Sequence, residues 1–420
     1  MQLPPVRRKR PLLTRSNRKL KRKAQRRPLY PIPALPVEWV KPSILSSVAC
    51  NLDVDMLTAC LPLLEESRID ALEWSFDALY REEKIPDWFR DLLDAFGNER
   101  RLIGHGIFFS LFSGRWLAGQ EEWLQQLRQM CRDFHFDHIT EHFGFMTGKD
   151  FHHGAPLGIP YTSATLNIGR DRLKRIYDVC GCPVGLENLA FSTSAEEVKI
   201  HGAFLEQLLE PVNGFIILDL HNLYCQLHNF GIPFEELIDL YPLHRVREIH
   251  ISGGSWDDST ASPGRTVRRD THDNAVPQEV FRLLENAIGR CPHLKFVVLE
   301  QLGVGLQTAA ARETFYNDFL KMQSIVQEKD KALVHGPAVT FLPGPILLSD
   351  EKAEDEVLYR QQMELSEILE TAATYEEVIN RLNNSSLACS DWNIETWEPY
   401  MVEVAMKIAQ KWKKVNSINS

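Results

Sequence analysis

PVGLENLAFSTSAEEVKIHGAFLEQLLEPVNGFIILDLHN, residues 183–222, is the segment that decides the fold. It opens on a short apolar run, PVGLEN (183–188). It then passes through an amphipathic stretch, AEEVKIHGAFLEQLLE (195–210), and returns to a second β-rich run, GFIILDLHN (214–222). Strands joined through a helix call for parallel pairing. The same alternation extends outward in both directions. Further strand candidates are SILSSVACN (44–52), IDALEWS (69–75), RLIGHGIFF (101–109), FDHITEHF (136–143), VREIHIS (246–252) and KFVVLEQ (295–301). Helical patterns lie between them, among them VDMLTACLPLLEES, PDWFRDLLDAF, EEWLQQLRQMCRDF and PQEVFRLLENAIGR. Eight strands spaced by about 25 to 45 residues, each followed by a helix, predict an α/β fold whose economical closed form is the (β/α)8 TIM-type barrel. The alternative is an open doubly wound sheet, but no G-x-G-x-x-G turn follows the first strand.

The barrel is expected over residues 38–335. The connector FLPGPILLSD (341–350) then leads to a small helical appendage over 345–415, with helices around 354–373, 374–384 and 395–414. Periodicity leaves open whether that appendage packs on the barrel or recruits a partner. The net charge of −10 divides unevenly. Residues 1–37 carry 12 Lys/Arg and no acid, leaving 35 basic against 57 acidic side chains in the remainder. That Pro-rich head has too few apolar residues for a core and is expected to be a disordered basic arm. It reads either as a steering arm for an acidic peptide, nucleic acid or membrane surface, or as a solubilising tail. No apolar run reaches the 18 residues that suggest a membrane span, and a secretory signal is not expected, since no positively charged start is followed by an apolar stretch. The eight cysteines are scattered; only Cys180 and Cys182 are close, at a spacing that fits neither a zinc knuckle nor a thioredoxin-like pair. Reduced thiols in a cytoplasmic protein are the expectation.

Active sites of such barrels lie at the C-terminal ends of the strands. Polar residues end the apolar runs there: His105 in IGHG, His142 in TEHFG, Glu187 in GLEN, Asp219 in LDLHN, His250 in EIHISGG and Glu300 in VVLEQ. RRDTHDN adds Asp270 and His272, two residues apart, a spacing that in an extended segment points both to one side. Asn222 lies three residues beyond Asp219. Glu141, His152 and His153 are weaker candidates near the mouth. Singly, a strand-end His is often a hydrogen-bonded structural group and a strand-end acid often caps a helix. Together they are harder to dismiss, because charges converging on one mouth repel unless cations compensate them. Four carboxylates (Glu187, Asp219, Asp270, Glu300) and four imidazoles (His105, His142, His250, His272) are too many for one ion. They suit two or three ions bridged by a carboxylate, and O/N ligation without cysteine favours Fe, Mn, Zn or Co.

GHG, TEHFG with the downstream LGIPYT, LEN, LDLHN, EIHISGG, DTHD and LEQ resemble the motifs of the multinuclear non-haem iron-dependent oxidases (MNIOs), enzymes like that of methanobactin biosynthesis. The resemblance covers roughly residues 44–325, and the wider ligand order is similar to the xylose-isomerase-like barrels, apurinic endonucleases included. It implies iron, in two or three Fe ions of mixed Fe(II)/Fe(III) state, with O2 as co-substrate. The implied substrate is a ribosomally synthesised precursor peptide, modified at Cys or Asp/Asn. A separate leader-binding protein is a further expected partner; nucleic acid is not. Carried over, His105 and His142 would hold one ion and Glu187 would bridge to a second completed by Asp219, His250 and Glu300. Asn222, Asp270 and His272 would hold a third. Glu187, Asp219 and His250 are the expected catalytic residues, and His221 is either an additional ligand or a group that orients one. The rival readings are a zinc- or manganese-dependent hydrolase or isomerase of the apurinic endonuclease or sugar isomerase type, and a non-catalytic adaptor.

Overall fold

Strands form where the sequence alternates in and out of the barrel: β1 (Leu45–Ala49), β2 (Ala71–Trp74), β3 (Leu102–His105), β4 (Phe136–His142), β5 (Val184–Glu187), β6 (Phe215–Asp219), β7 (Val246–Ile251) and β8 (Phe296–Leu299). Each pairs in parallel with its sequence neighbours, and β1 closes the ring on β8. This is a computed structural model, and it describes residues 44–79, 85–147, 156–333 and 339–418. The basic head, His152 and His153 lie outside those residues.

One main helix follows each strand: α1 (Val54–Glu65), α2 (Asp87–Asn98), α3 (Ala118–Asp133), α4 (Ser163–Cys180), α5 (Ala195–Leu209), α6 (Leu220–Phe230), α7 (Gln278–Ala287) and α8 (Ala309–Ala332). Their starts carry the expected caps. Asp53 accepts from Met56 N at 2.9 Å, Thr162 from Thr165 N at 3.1 Å and Ser194 from Glu197 N at 3.2 Å. α4 and α6 stop at Gly181 and Gly231, whose φ of 64° and 66° places them in the left-handed region where a Cβ is penalised. The outer strand faces bury an aromatic layer, with Trp74 packed edge-on to Phe89 and Phe134.

The barrel interior is part apolar and part charged. There Ala71, Ile103, Phe296 and Val298 pack together, and Phe341 packs against Phe215 and Ile217. Beside them, where branched aliphatic filling is usual for these barrels, stand Glu73, His138, Thr140 and Glu248, all fully buried.

Beyond the barrel come α9 (Glu356–Thr371), α10 (Tyr375–Asn383) and α11 (Pro399–Ile418), and the described residues form one compact unit. α9 docks on the loop after β3. Gly114 N donates to Gln362 at 2.9 Å and Asp355 N donates to Gly114 O at 2.7 Å. A Cβ at Gly114 would stand 2.5 Å from Tyr359 N, so this approach requires glycine. α11 reaches the barrel mouth, where Met401, Val404 and Ile408 line the cavity described below.

Candidate metal centre

β3, β4, β5 and β6 end on His105, His142, Glu187 and Asp219; His250 is next to last in β7 and Glu300 follows β8 directly. The register sets His142 beside Glu187 and Asp219 beside His250, one strand spacing apart. Glu187 stands at the centre. Its Oε2 lies 3.3 Å from His105 Nε2 and 3.4 Å from His142 Nε2, while its Oε1 lies 3.8 Å from His250 Nδ1 and 3.3 Å from Asn222 Nδ2. Glu300 Oε2 is 3.2 Å from His250 Nδ1 and 3.9 Å from His272 Nδ1. Ligand-capable atoms of His105, His142 and Glu187 fall within 4.8 Å of one another, and so do those of Glu187, Asp219, His250 and Glu300. His105, His142, Glu187 and Glu300, with Asn222 and His272, line a cavity of about 400 Å³ at the barrel mouth.

Several of the atoms brought together here are left without a hydrogen bond. Asp219 Oδ2, Asn222 Oδ1, His250 Nδ1 and Glu300 Oε2 are all buried with no hydrogen-bond partner. Buried polar atoms are almost always paired, because leaving one unpaired costs about 1–3 kcal/mol. A group of orphans gathered around Glu187 is a donor set for cations, and the residues present therefore fit metal ions. The electrostatics agree. Burial, and after it the charges of Glu187, Asp270 and Glu300, push the Asp219 carboxyl well above its ordinary range. Burial opposes charge on His105, yet its hydrogen bond to Glu187 and the charges of Glu73 and Glu187 raise it to about 10. His142 goes the other way, held below its ordinary value by burial.

Asp270 and His272 also meet, at 2.8 Å between Oδ1 and Nε2, but not by strand alternation. The segment is irregular and His272 takes a left-handed φ of 51°, so the extended geometry expected from the spacing is corrected. Non-glycine residues held there cost about 1–3 kcal/mol and cluster at functional sites. The strand expected to run to Asn222 stops at Asp219, which caps α6 by accepting from Asn222 N at 2.5 Å. Asn222 therefore stands on the first helical turn, its amide nitrogen on Glu187 and Asn188 O. His221 has both nitrogens committed. Arg268 Nε donates to its Nε2 at 3.1 Å, so Nδ1 carries the proton and donates to Asp270 at 2.9 Å. It orients Asp270. Glu141 is likewise spent on Phe109 N and His142 N.

Sequence reading missed a buried chain beneath the cluster. His250 Nε2 is 3.1 Å from both Glu73 Oε2 and Glu248 Oε1. Glu248 Oε2 takes His138 Nε2 at 2.6 Å, and His138 Nδ1 meets Asp137 at 2.9 Å, which pairs with Arg247 at 2.7 Å and with Lys295. Thr140 bonds His105 Nδ1 at 2.8 Å. The available signal was a charged residue two positions before a candidate ligand on the same strand, Glu248 before His250, since alternation puts both inside.

Comparison with known proteins adds the family. Residues 67–302, more than half of the chain, match the family model described as RiPP precursor modification enzyme MbnB/TglH/ChrH. A UPF0276 protein of Caulobacter vibrioides is 26% identical over 200 residues, 47% of this chain and 68% of its own length. UPF0276 protein AM1_3026 of Acaryochloris marina is 28% identical over 189 residues, 44% and 64% respectively. Among solved structures, a xylose isomerase domain protein from Planctomyces limnophilus superposes with a TM-score of 0.46 at 14% identity, covering 70% of this chain and 100% of that one. Endonuclease IV from Thermus thermophilus gives 0.43 at 11%, covering 68% and 99%. With its family model spanning β2 to β8 and every ligand candidate from His105 to Glu300, the chain belongs to the RiPP precursor modification enzymes of the MbnB/TglH/ChrH family.

Proposed function

We propose that this chain is a multinuclear iron-dependent, oxygen-using oxidase that modifies a ribosomally synthesised precursor peptide at Cys or Asp/Asn. The observation that carries the reading is the convergence of four unpartnered buried ligand atoms, all on residues singled out by sequence, in a chain of this family. His105, His142 and Glu187 would hold one ion. Glu187, Asp219, His250 and Glu300 would hold a second, and Asp270 and His272, with Asn222, a third. Bound iron supplies one-electron redox chemistry toward dioxygen; the rest is the work of the protein. Glu187 turns one oxygen to His105 and His142 and the other to His250, the disposition of a bridging carboxylate. Asp219 and His250, fully buried beside it, complete the expected catalytic group. Met401, Val404 and Ile408 give the mouth an apolar wall that excludes water, and about 400 Å³ accommodates a peptide side chain with its flanking backbone. The partners proposed are the precursor peptide and a separate leader-binding protein, in the cytoplasm. Among the described residues no helix is long and apolar enough to cross a membrane.

The test is to load the full chain, purified without oxygen, with Fe(II), Mn(II) or Zn(II) in turn. Each form is then incubated with a Cys- or Asp-containing peptide encoded beside the gene. A peptide mass change that needs both iron and air supports the reading. Turnover by the zinc form without oxygen would replace it with a hydrolase or isomerase.

A further inference from the structure

We propose that the barrel mouth carries an anion site, centred on Arg268, that takes a carboxylate group of the peptide substrate; this rests on the peptide-modifying reading above. Arg268 closes the hairpin formed by Trp256–Asp258 and Thr266–Arg268 and is only 5% exposed. Its backbone is held from both sides by buried Asn229, which accepts from its N–H at 2.8 Å and donates to its carbonyl at 3.0 Å. The guanidinium lies 5.0 Å over the ring of Trp256 and 5.5 Å over that of Tyr224, and its Nε donates to His221. The residue is thus fixed in place, facing the same cavity as the metal cluster.

It lacks a counter-charge. Among the described residues no carboxylate pairs with Arg268, and neither Nη group makes a hydrogen bond or is sealed from solvent. Buried arginines are normally paired, because removing the charge from water is costly. Aromatic faces offset part of that cost but leave the donors unspent. Orienting His221 uses one of five N–H groups, so a purely structural role leaves four without purpose. Neighbouring Arg269 shows the usual arrangement, with Asp257 at 2.5 Å. Asp270 does not fill this place: its Oδ1 is taken by His221 and His272, and it forms no ion pair with Arg268. A rigid guanidinium with its outer fork open to a cavity is the geometry that binds a carboxylate bidentately. The carboxylate can be an Asp or Glu side chain or the C-terminus of the peptide.

Three capped tripeptides separate these sources in the metal-loaded full chain. One has a central aspartate and an amidated end, one has alanine throughout with a free C-terminal carboxylate, and the neutral control has asparagine and an amidated end. Binding is measured by calorimetry and by Trp256 fluorescence at low salt. At least one acidic probe is expected to bind tenfold or more tightly than the control, and which one identifies the source. Arg268→Gln should abolish that preference with the metal content unchanged. Arg268→Lys, which keeps charge and stem but not the fork, should retain only part of it. Equal binding of acidic and neutral probes by the natural chain would overturn the site. So would a preference that survives in Arg268→Gln, which would place the carboxylate on the metal, or a loss of metal in that variant, which would make Arg268 a support for Asp270. No turnover is required, so failure of the oxidase reading would appear separately as an unmodified precursor.

Discussion

His250 shows how much a single residue position decides. Its Nδ1 faces Glu187 and Glu300 without a hydrogen bond, while its Nε2 sits between Glu73 and Glu248. A carboxylate on one ring nitrogen fixes the tautomer and leaves the other lone pair for a cation. Glu248 accepts from His250 through one oxygen and from His138 through the other. Glu248→Gln can satisfy only one of those donors, and it should weaken metal binding about 10- to 100-fold in a chelator competition. An unchanged affinity would show that His250 does not depend on this support. Glu187→Gln preserves volume and removes the charge two ions would share, so elemental analysis should find at least one ion per chain missing; full occupancy would sink the bridging role. The ligand candidates were legible because each ends an apolar run. Glu73 and His138 were not, because a single charge inside a strand pattern reads as an outward-facing residue until the barrel closes around it.

At the scale of elements, the loop after β7 is the adaptable part of the site. The side chains of Asp270 and His272 are 25% and 21% exposed, whereas Asp219 and His250 are fully buried. Ligands on a loop lose ordering entropy when they close on an ion, and strand-borne ligands are already in place. Asp270→Ala and His272→Ala should therefore behave alike, each losing one ion and turnover while circular dichroism and the melting temperature stay nearly constant. A double variant with all its metal and full turnover would reduce the model to two ions. α11 secures the same loop from the other side. Glu403 accepts from Ser259 Oγ at 2.7 Å, Thr260 N at 3.0 Å and Ala261 N at 3.1 Å, with Lys407 at 3.1 Å. Burial favours the neutral acid, but those donors outweigh it and hold the carboxyl down to about 2. A folded value below the unfolded one, about 4.3, means that stabilisation is complete above the latter and lost as pH falls toward the former. Glu403→Gln should thus cost about 2 kcal/mol at neutral pH, with the gap to the natural chain narrowing between about pH 4.3 and 2. Equal melting temperatures at pH 7 would show that the clamp contributes nothing.

Over the whole molecule, charge is sorted by position. The strands converge their acids and imidazoles on one end of the axis, and the Lys/Arg excess is confined to residues 1–37. If that head steers an acidic leader, deleting it should weaken binding of an acidic peptide mainly at low ionic strength, where the Debye length is roughly 10 Å or more. Unchanged affinity at about 20 mM salt would leave it a solubilising tail.

The sequence by itself determined the eight-strand alternation, the closed barrel and the ring of ligand candidates at one end of it. Those features follow from local periodicity and from the rule that a barrel strand turns from core to mouth where its apolar run stops. Only the tertiary structure decided that His221 orients Asp270, that Arg268 faces the mouth without a counter-charge, and that α11 walls the cavity with Met401, Val404 and Ile408. Each depends on which distant segments share one interior. An amphipathic period states that a helix has an apolar face, and packing alone selects the surface that face will cover.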